Sequence, residues 1–182
     1  PLVPGLARQA SPVTMLQRSP PYMVSAPSED RMANWLRERV PAKVAYGIVR
    51  WRNILLGLAF FHFCRRRPTV ARRLLLRGIE RQLGPAYDIG THFNPRYNPW
   101  DQRLCLIPDA DLFEAIKTGK ASMVTDHIDC VTKKGIRLES GAELDADIII
   151  VATGLEIKVM AGVQFSVDAE AVDFQIGRAH GW

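Results

Sequence analysis

Cysteine is scarce in this chain, and its three copies lie far apart. Cys64, Cys105 and Cys130 form neither a disulfide framework nor the paired spacing of a zinc site, so a reducing, cytoplasmic setting is expected. His62, His92, His127 and His180 include no helix-spaced pair, and no metal is expected. A Gly-x-Gly-x-x-Gly turn is missing, so the usual phosphate cradle of a dinucleotide fold is not in view. There is no initiating methionine and no basic-then-apolar leader before the first structured residues. The chain reads as a piece whose start lies upstream. Its unbroken apolar run, Ile54 to Phe61, is too short to span a bilayer. Acidic residues nearly vanish from one segment. Between Arg31 and Arg81, thirteen Lys and Arg face only Glu38 and Glu80, a local +11 against a net charge of +5 for the whole chain. The basic character therefore belongs to that segment. Without interleaved aromatics or helix-turn-helix spacing, it predicts no nucleic-acid partner.

What remains is a soluble globular composition. Of 182 residues, 47% are apolar and 24% charged, enough for one domain with an insertion. The most informative stretch is 142–154, Ala-Glu-Leu-Asp-Ala-Asp-Ile-Ile-Ile-Val-Ala-Thr-Gly. Four β-branched residues, Ile148 to Val151, predict a strand buried on both faces of a parallel sheet. Ala152-Thr153-Gly154 then predicts a turn where the backbone can approach a nucleotide, since Gly carries no Cβ. An ordinary core strand with a tight exit fits the same letters.

Upstream, residues 2–9 read as the tail of a helix and Val13 to Leu16 as a strand, half of a βαβ nucleotide-binding unit. An NAD site would place a carboxylate at that strand's end. Gln17, Arg18 and Ser19 stand there instead, and guanidinium plus hydroxyl suit a 2′-phosphate, hence NADP. The plainer alternative is a surface arginine at a strand exit.

From Ser28 to Leu83 the pattern is helical. Ser28 is expected to cap a short helix with Glu29 and Asp30 in its first turn and Trp35 and Leu36 on its core face. Pro41 starts the next helix, which holds Ile48–Cys64 and is expected to be buried in a helical insertion, with Arg65-Arg66-Arg67 solvated. The sharper option is a peripheral membrane contact through 54–73, apolar side down and arginines on lipid phosphates. Leu83 to Asp109 reads as a long functional loop containing His92, Arg96, Tyr97, Trp100, Asp101, Gln102 and Arg103. Asp111–Lys117 follows as a short helix ending at Gly119. Residues 122–146 read as a β-meander with turns at Lys134-Gly135 and Ser140-Gly141.

Three of these segments together carry a resemblance: Val-Thr-Met-Leu-Gln-Arg-Ser-Pro (13–20), Tyr-Asn-Pro-Trp-Asp-Gln-Arg-Leu-Cys-Leu-Ile-Pro-Asp-Ala-Asp-Leu-Phe (97–113) and Asp-Ile-Ile-Ile-Val-Ala-Thr-Gly (147–154). The chain resembles the class B flavoprotein monooxygenases, the Baeyer–Villiger and flavin-containing monooxygenases, across most of residues 1–174. The middle motif is the specific one. The last is shared by many flavoproteins with two dinucleotide domains. Missing are the glycine-rich FAD and NADPH turns, the family fingerprint and the final part of the FAD domain.

The resemblance implies an α/β fold: a partial Rossmann-like dinucleotide-binding domain with a helical insertion and a β-meander. Residues 1–27 and 84–153 would form the two parts of the NADPH domain, 28–83 the insertion, and 154–174 the start of the return into the FAD domain. Residues 175–182, Gln-Ile-Gly-Arg-Ala-His-Gly-Trp, read as a non-native tail. The implied cofactors are FAD and NADP. The implied reaction inserts one oxygen atom of O2 into a ketone through a flavin C4a-peroxide. Oxygenation of soft nitrogen or sulfur is the alternative, and a non-catalytic basic module that docks on membranes is the reading from another class. Arg103 matches the active-site arginine, Arg18 the 2′-phosphate arginine with Gln17 and Ser19 beside it, Thr153 and Gly154 the passage near the cofactors, and Trp100 a wall of the substrate pocket.

Overall fold

The computed structural model describes residues 2–10, 12–102, 104–154, 165–168 and 170–172. It is a mixed α/β structure with two parallel strand pairs. Helix α1 (Leu2–Leu6) leads into β1 (Val13–Gln17), then β2 (Tyr22–Ala26). Helices α2 (Arg31–Arg37), α3 (Ala42–Arg66) and α4 (Pro68–Leu83) then follow one another in the helical stretch. A short α5 (Ile89–Phe93), β3 (Leu104–Pro108), α6 (Asp111–Lys117) and β4 (Ala121–Thr125) follow. Strands β5 (Ile128–Val131), β6 (Gly135–Leu138) and β7 (Glu143–Asp145) make an antiparallel meander. Beyond it β8 (Phe165–Val167) pairs antiparallel with β9 (Glu170–Val172).

Parallel pairing brings distant segments together. β1 lies beside β4 in register from Val13↔Ala121 to Gln17↔Thr125, and β2 beside β3 from Tyr22↔Leu104 to Ala26↔Pro108. Strand alternation points Ala121 and Met123 inward while Ser122 faces out, where its hydroxyl meets that of Thr14 at 3.0 Å. Helix α6 turns Leu112, Phe113, Ala115 and Ile116 onto the same core, the i, i+1, i+4 pattern of an inward face. Asp111 and Glu114 favour its N-terminal end, and Gly119 at φ +71° ends the turn that follows it. Phe93 of α5 meets Phe113 at 5.8 Å between ring centroids, and Ile79 joins them from α4. Each such fully buried apolar side chain contributes about 1.5–3 kcal/mol.

Several expectations need correction. Ile148 to Val151 is not a buried strand; its residues are 41–79% exposed and unpaired. A β-branched run becomes a two-face-buried strand only between neighbouring strands, and among the described residues none flanks it. The cap of α2 is Asp30, whose Oδ1 accepts from Ala33 N at 3.0 Å; Ser28 N instead donates to Asp109 Oδ1 at 2.9 Å. Leu36 and Ala33 face the core, whereas Trp35 is 53% exposed beneath the Arg39 guanidinium. Helix α3 is exposed along most of its length, with only Ala45 and Cys64 buried. β4 leaves the meander to pair with β1. Leu83 to Asp109 is not one loop: α5 and β3 form within it, and β3 gains its strand character by pairing with β2.

Candidate functional site

Because β1 and β4 end in register, Gln17 and Thr125 lie side by side where both carboxyl ends open. That edge is where open α/β sheets take ligands. Gln17 is buried. Its Nε2 donates to His92 O and to Thr125 Oγ1, each at 2.8 Å, and His92 Nδ1 lies 2.9 Å from the same hydroxyl. Its Oε1 is buried with no hydrogen-bond partner among the described residues. The amide thus clips α5 to the strand ends and faces the core. Arg18 and Ser19, the next two residues, are exposed, and Arg18 has no ion-pair or hydrogen-bond partner among the described residues. A guanidinium at a strand's carboxyl end with no carboxylate neutralising it fits an incoming phosphate.

The loop preceding β3 is held by the helical insertion. Arg72 on α4 donates from Nε and Nη2 to Asn94 Oδ1 at 3.0 and 2.7 Å, and from Nη2 to Pro95 O at 2.9 Å. Arg65 on α3 forms an ion pair with Asp101, whose Oδ2 accepts from Asn98 N at 3.2 Å. From β2, the buried Tyr22 hydroxyl donates to Tyr97 O at 2.9 Å, with the two rings edge to face at 5.4 Å. Burial pushes the Tyr22 phenol up from its usual range, with Arg72 opposing. These three anchors fix a loop with little secondary structure of its own.

Trp100 sits on that loop at φ +70°, 40% exposed, its ring edge-on to Phe60 and Phe61 of α3 at 6.3 and 5.8 Å. Beneath it Cys64 is fully buried; burial pushes its thiol up, and a hydrogen bond with Trp100 opposes this. Arg103 lies outside the described residues. The carboxylates nearest to it in sequence are engaged, Asp101 by Arg65 and Asp109 by Ser28 N. The Ser28 hydrogen bonds hold the Asp109 carboxyl below its usual range. Thr153 and Gly154 are exposed. Gly154 has φ +118°, and a Cβ built there would meet nothing within 4 Å, so the backbone is open to approach. The structure therefore gathers Arg18 and Ser19 at one strand edge and puts Trp100 on a braced loop. Arg65 and Arg72, which brace it, escaped sequence reasoning because their partners lie 36 and 22 residues away.

Comparison with known proteins finds relatives along nearly the whole chain. The chain is 49% identical over 180 residues to the FAD-containing monooxygenase EthA of Mycobacterium tuberculosis, covering 98% of this chain. That protein's name gives FAD and monooxygenation as its own properties. The chain spans 37% of the length of that relative. EthA of Mycolicibacterium smegmatis is 43% identical over 173 residues, 94% of this chain and 35% of its own length. The protein named "Probable FAD-binding monooxygenase AlmA" of Acinetobacter baylyi is 44% identical over 173 residues, 94% of this chain and 34% of its own length. No family model matches the chain. No solved structure matches it either.

Proposed function

We propose that the chain is the middle part of an NADPH- and FAD-dependent monooxygenase that inserts one oxygen atom of O2 into a ketone. The observation that carries this is the 49% identity, running through 98% of the chain, to a protein named for FAD and for monooxygenation. In this reading residues 1–27 and 84–153 belong to a Rossmann-like NADPH domain interrupted by the insertion 28–83, and 154–174 begin the return towards the FAD domain. The balanced reaction is ketone, O2, NADPH and a proton going to ester or lactone, NADP+ and water.

Bound FAD supplies the activation of O2 with electrons from NADPH. The chain's own residues bind and orient. Arg18 holds the 2′-phosphate through its planar fork of donors, and Ser19 adds a hydroxyl donor. Gln17 keeps the end of β1 in place through His92 and Thr125. Arg103, in Trp-Asp-Gln-Arg, supplies a fixed positive charge where negative charge develops, an effect strongest where water is excluded. Trp100 walls the pocket beside it, and Thr153 and Gly154 let the backbone pass close to the cofactors.

The test is made on the product of the full reading frame. It should purify yellow with a flavin spectrum and oxidise NADPH faster when a ketone is present, releasing ester. A colourless product that refuses added FAD would sink the proposal. Arg103→Ala should keep the flavin and lose ester formation; unchanged ester formation removes Arg103 from the chemistry.

A further inference from the structure

Helix α3 carries a surface that the proposed function leaves without a role. Val44, Ile48, Trp51, Leu55 and Leu58 follow one another at i, i+4, i+7, i+11 and i+14, which lines them along one face of the helix. They are 49, 43, 63, 61 and 51% exposed. Tyr46 and Leu56, 63 and 61% exposed, lie on other faces of the helix. The helix is tied to the body by other residues: buried Ala45 and Cys64, Arg52 paired with Asp30, Arg65 paired with Asp101, and Phe60 and Phe61 against Trp100.

Charge selects the occupant. Every charged residue within α3 is basic, namely Lys43, Arg50, Arg52, Arg65 and Arg66, and Arg67 follows directly. A second copy laid on the same face would bring like charges together. An anionic bilayer accepts both the apolar stripe and the arginines. By length and composition α3 could cross a membrane, but Arg50 and Arg52 interrupt its middle. Its ties to Asp30 and Asp101 also keep it along the body. We propose that α3 lies in the plane of an anionic lipid surface, with Val44, Ile48, Trp51, Leu55 and Leu58 among the acyl chains and Arg66 and Arg67 on lipid phosphates. This stands apart from the monooxygenase reading.

The experiment is co-sedimentation of the full-length protein with vesicles of phosphatidylcholine alone or with about a third phosphatidylglycerol, at about 0.05 and 0.5 M salt. Flavin content and NADPH oxidation are measured on the same samples, so the two proposals fail separately. Binding is expected to the anionic vesicles, weakening with salt. Leu55→Glu with Leu58→Glu should reduce it at least tenfold at unchanged circular dichroism; both side chains are exposed, so folding should survive. Arg66→Gln with Arg67→Gln should weaken it roughly thirtyfold. Absence of binding at low salt overturns the proposal, as does equal binding to neutral vesicles. A lipid-free dimer broken by Leu55→Glu, without vesicle binding, overturns it in favour of a second copy. Resistance of Leu55→Cys to an aqueous maleimide, again without vesicle binding, overturns it in favour of another polypeptide segment covering the stripe.

Discussion

Replacing Gln17 by Leu and by Ala separates a core role from a cofactor role. Both substitutions delete the two Nε2 hydrogen bonds, to His92 O and Thr125 Oγ1, worth about 1 kcal/mol each in net terms. Both also remove the buried Oε1, which has no hydrogen-bond partner among the described residues and whose desolvation costs about 1–3 kcal/mol. These terms nearly cancel. Leu keeps most of the side-chain volume, so Gln17→Leu should fall within about 1 kcal/mol of the parent. Ala leaves a cavity at the junction of β1, β4 and α5, adding about 2–3 kcal/mol. The assay is urea unfolding followed by circular dichroism, read as a midpoint shift at constant slope. If Leu proves as damaging as Ala, the two hydrogen bonds dominate and the argument from the orphaned oxygen fails. A second readout comes from the full-length enzyme: its preference for NADPH over NADH should survive Gln17→Leu. A changed preference would put the amide in the nucleotide site and refute the core assignment.

Three further outcomes follow from the same structure. Arg18→Ala in the full-length enzyme should raise KM for NADPH roughly tenfold to a hundredfold, the worth of a charge-assisted bond, while NADH is little affected; equal losses refute the 2′-phosphate role. Gly135→Ala should destabilise the meander by about 1–3 kcal/mol or more, because the new Cβ would lie 1.9 Å from Leu144 O; an unchanged melting temperature would contradict the β6–β7 pairing. Asp30 is held below its usual range by hydrogen bonding to Arg52 and then Ala33 N, and Asp129 by Arg137; Asp88, Asp109 and Asp126 are lowered first by hydrogen bonds from Thr91, Ser28 and Ser140. Each binds its proton more weakly folded than unfolded, so its contribution is complete above the ordinary carboxylate range and lost as pH falls through the folded value. Melting temperature should therefore hold from neutral to about pH 5 and fall below about pH 4; a rise on acidification would refute this.

Elements whose signals are local were legible in the sequence. Pro41 starting α3, the Leu112/Phe113/Ile116 face of α6, and the glycine turns of the meander all depend on residues a few positions apart. Ala121 to Thr125 reads equally well as a first meander strand. Only the register against β1, about a hundred residues earlier, decides its neighbour. Ile148 to Val151 failed for the opposite reason. Its letters describe an environment, and a strand's burial is a property of what flanks it. The place of Arg18 just past the end of β1 was legible because it depends only on sequence order. The inward turn of Gln17 was not, since its partners come from α5 and β4.

The helical insertion is more than an appendage to the strand pairs. Restraining an arginine costs up to about 2 kcal/mol of rotamer entropy, so one held by several acceptors marks a place where geometry matters. Arg72 meets two acceptors in the 94–102 loop through a planar fork, and Arg65 meets a third. Pro95 and Pro99 are fully buried there, and neither can donate a backbone hydrogen bond. The loop's shape is therefore imposed from outside, by α3 and α4 on one side and Tyr22 on the other. Its last residues lead directly into Arg103. The arginines of a strongly basic segment thus hold the residues that lead to the proposed active-site arginine, while the exposed stripe of α3 takes no part in those contacts among the described residues. One rigid helix, α3, belongs to both.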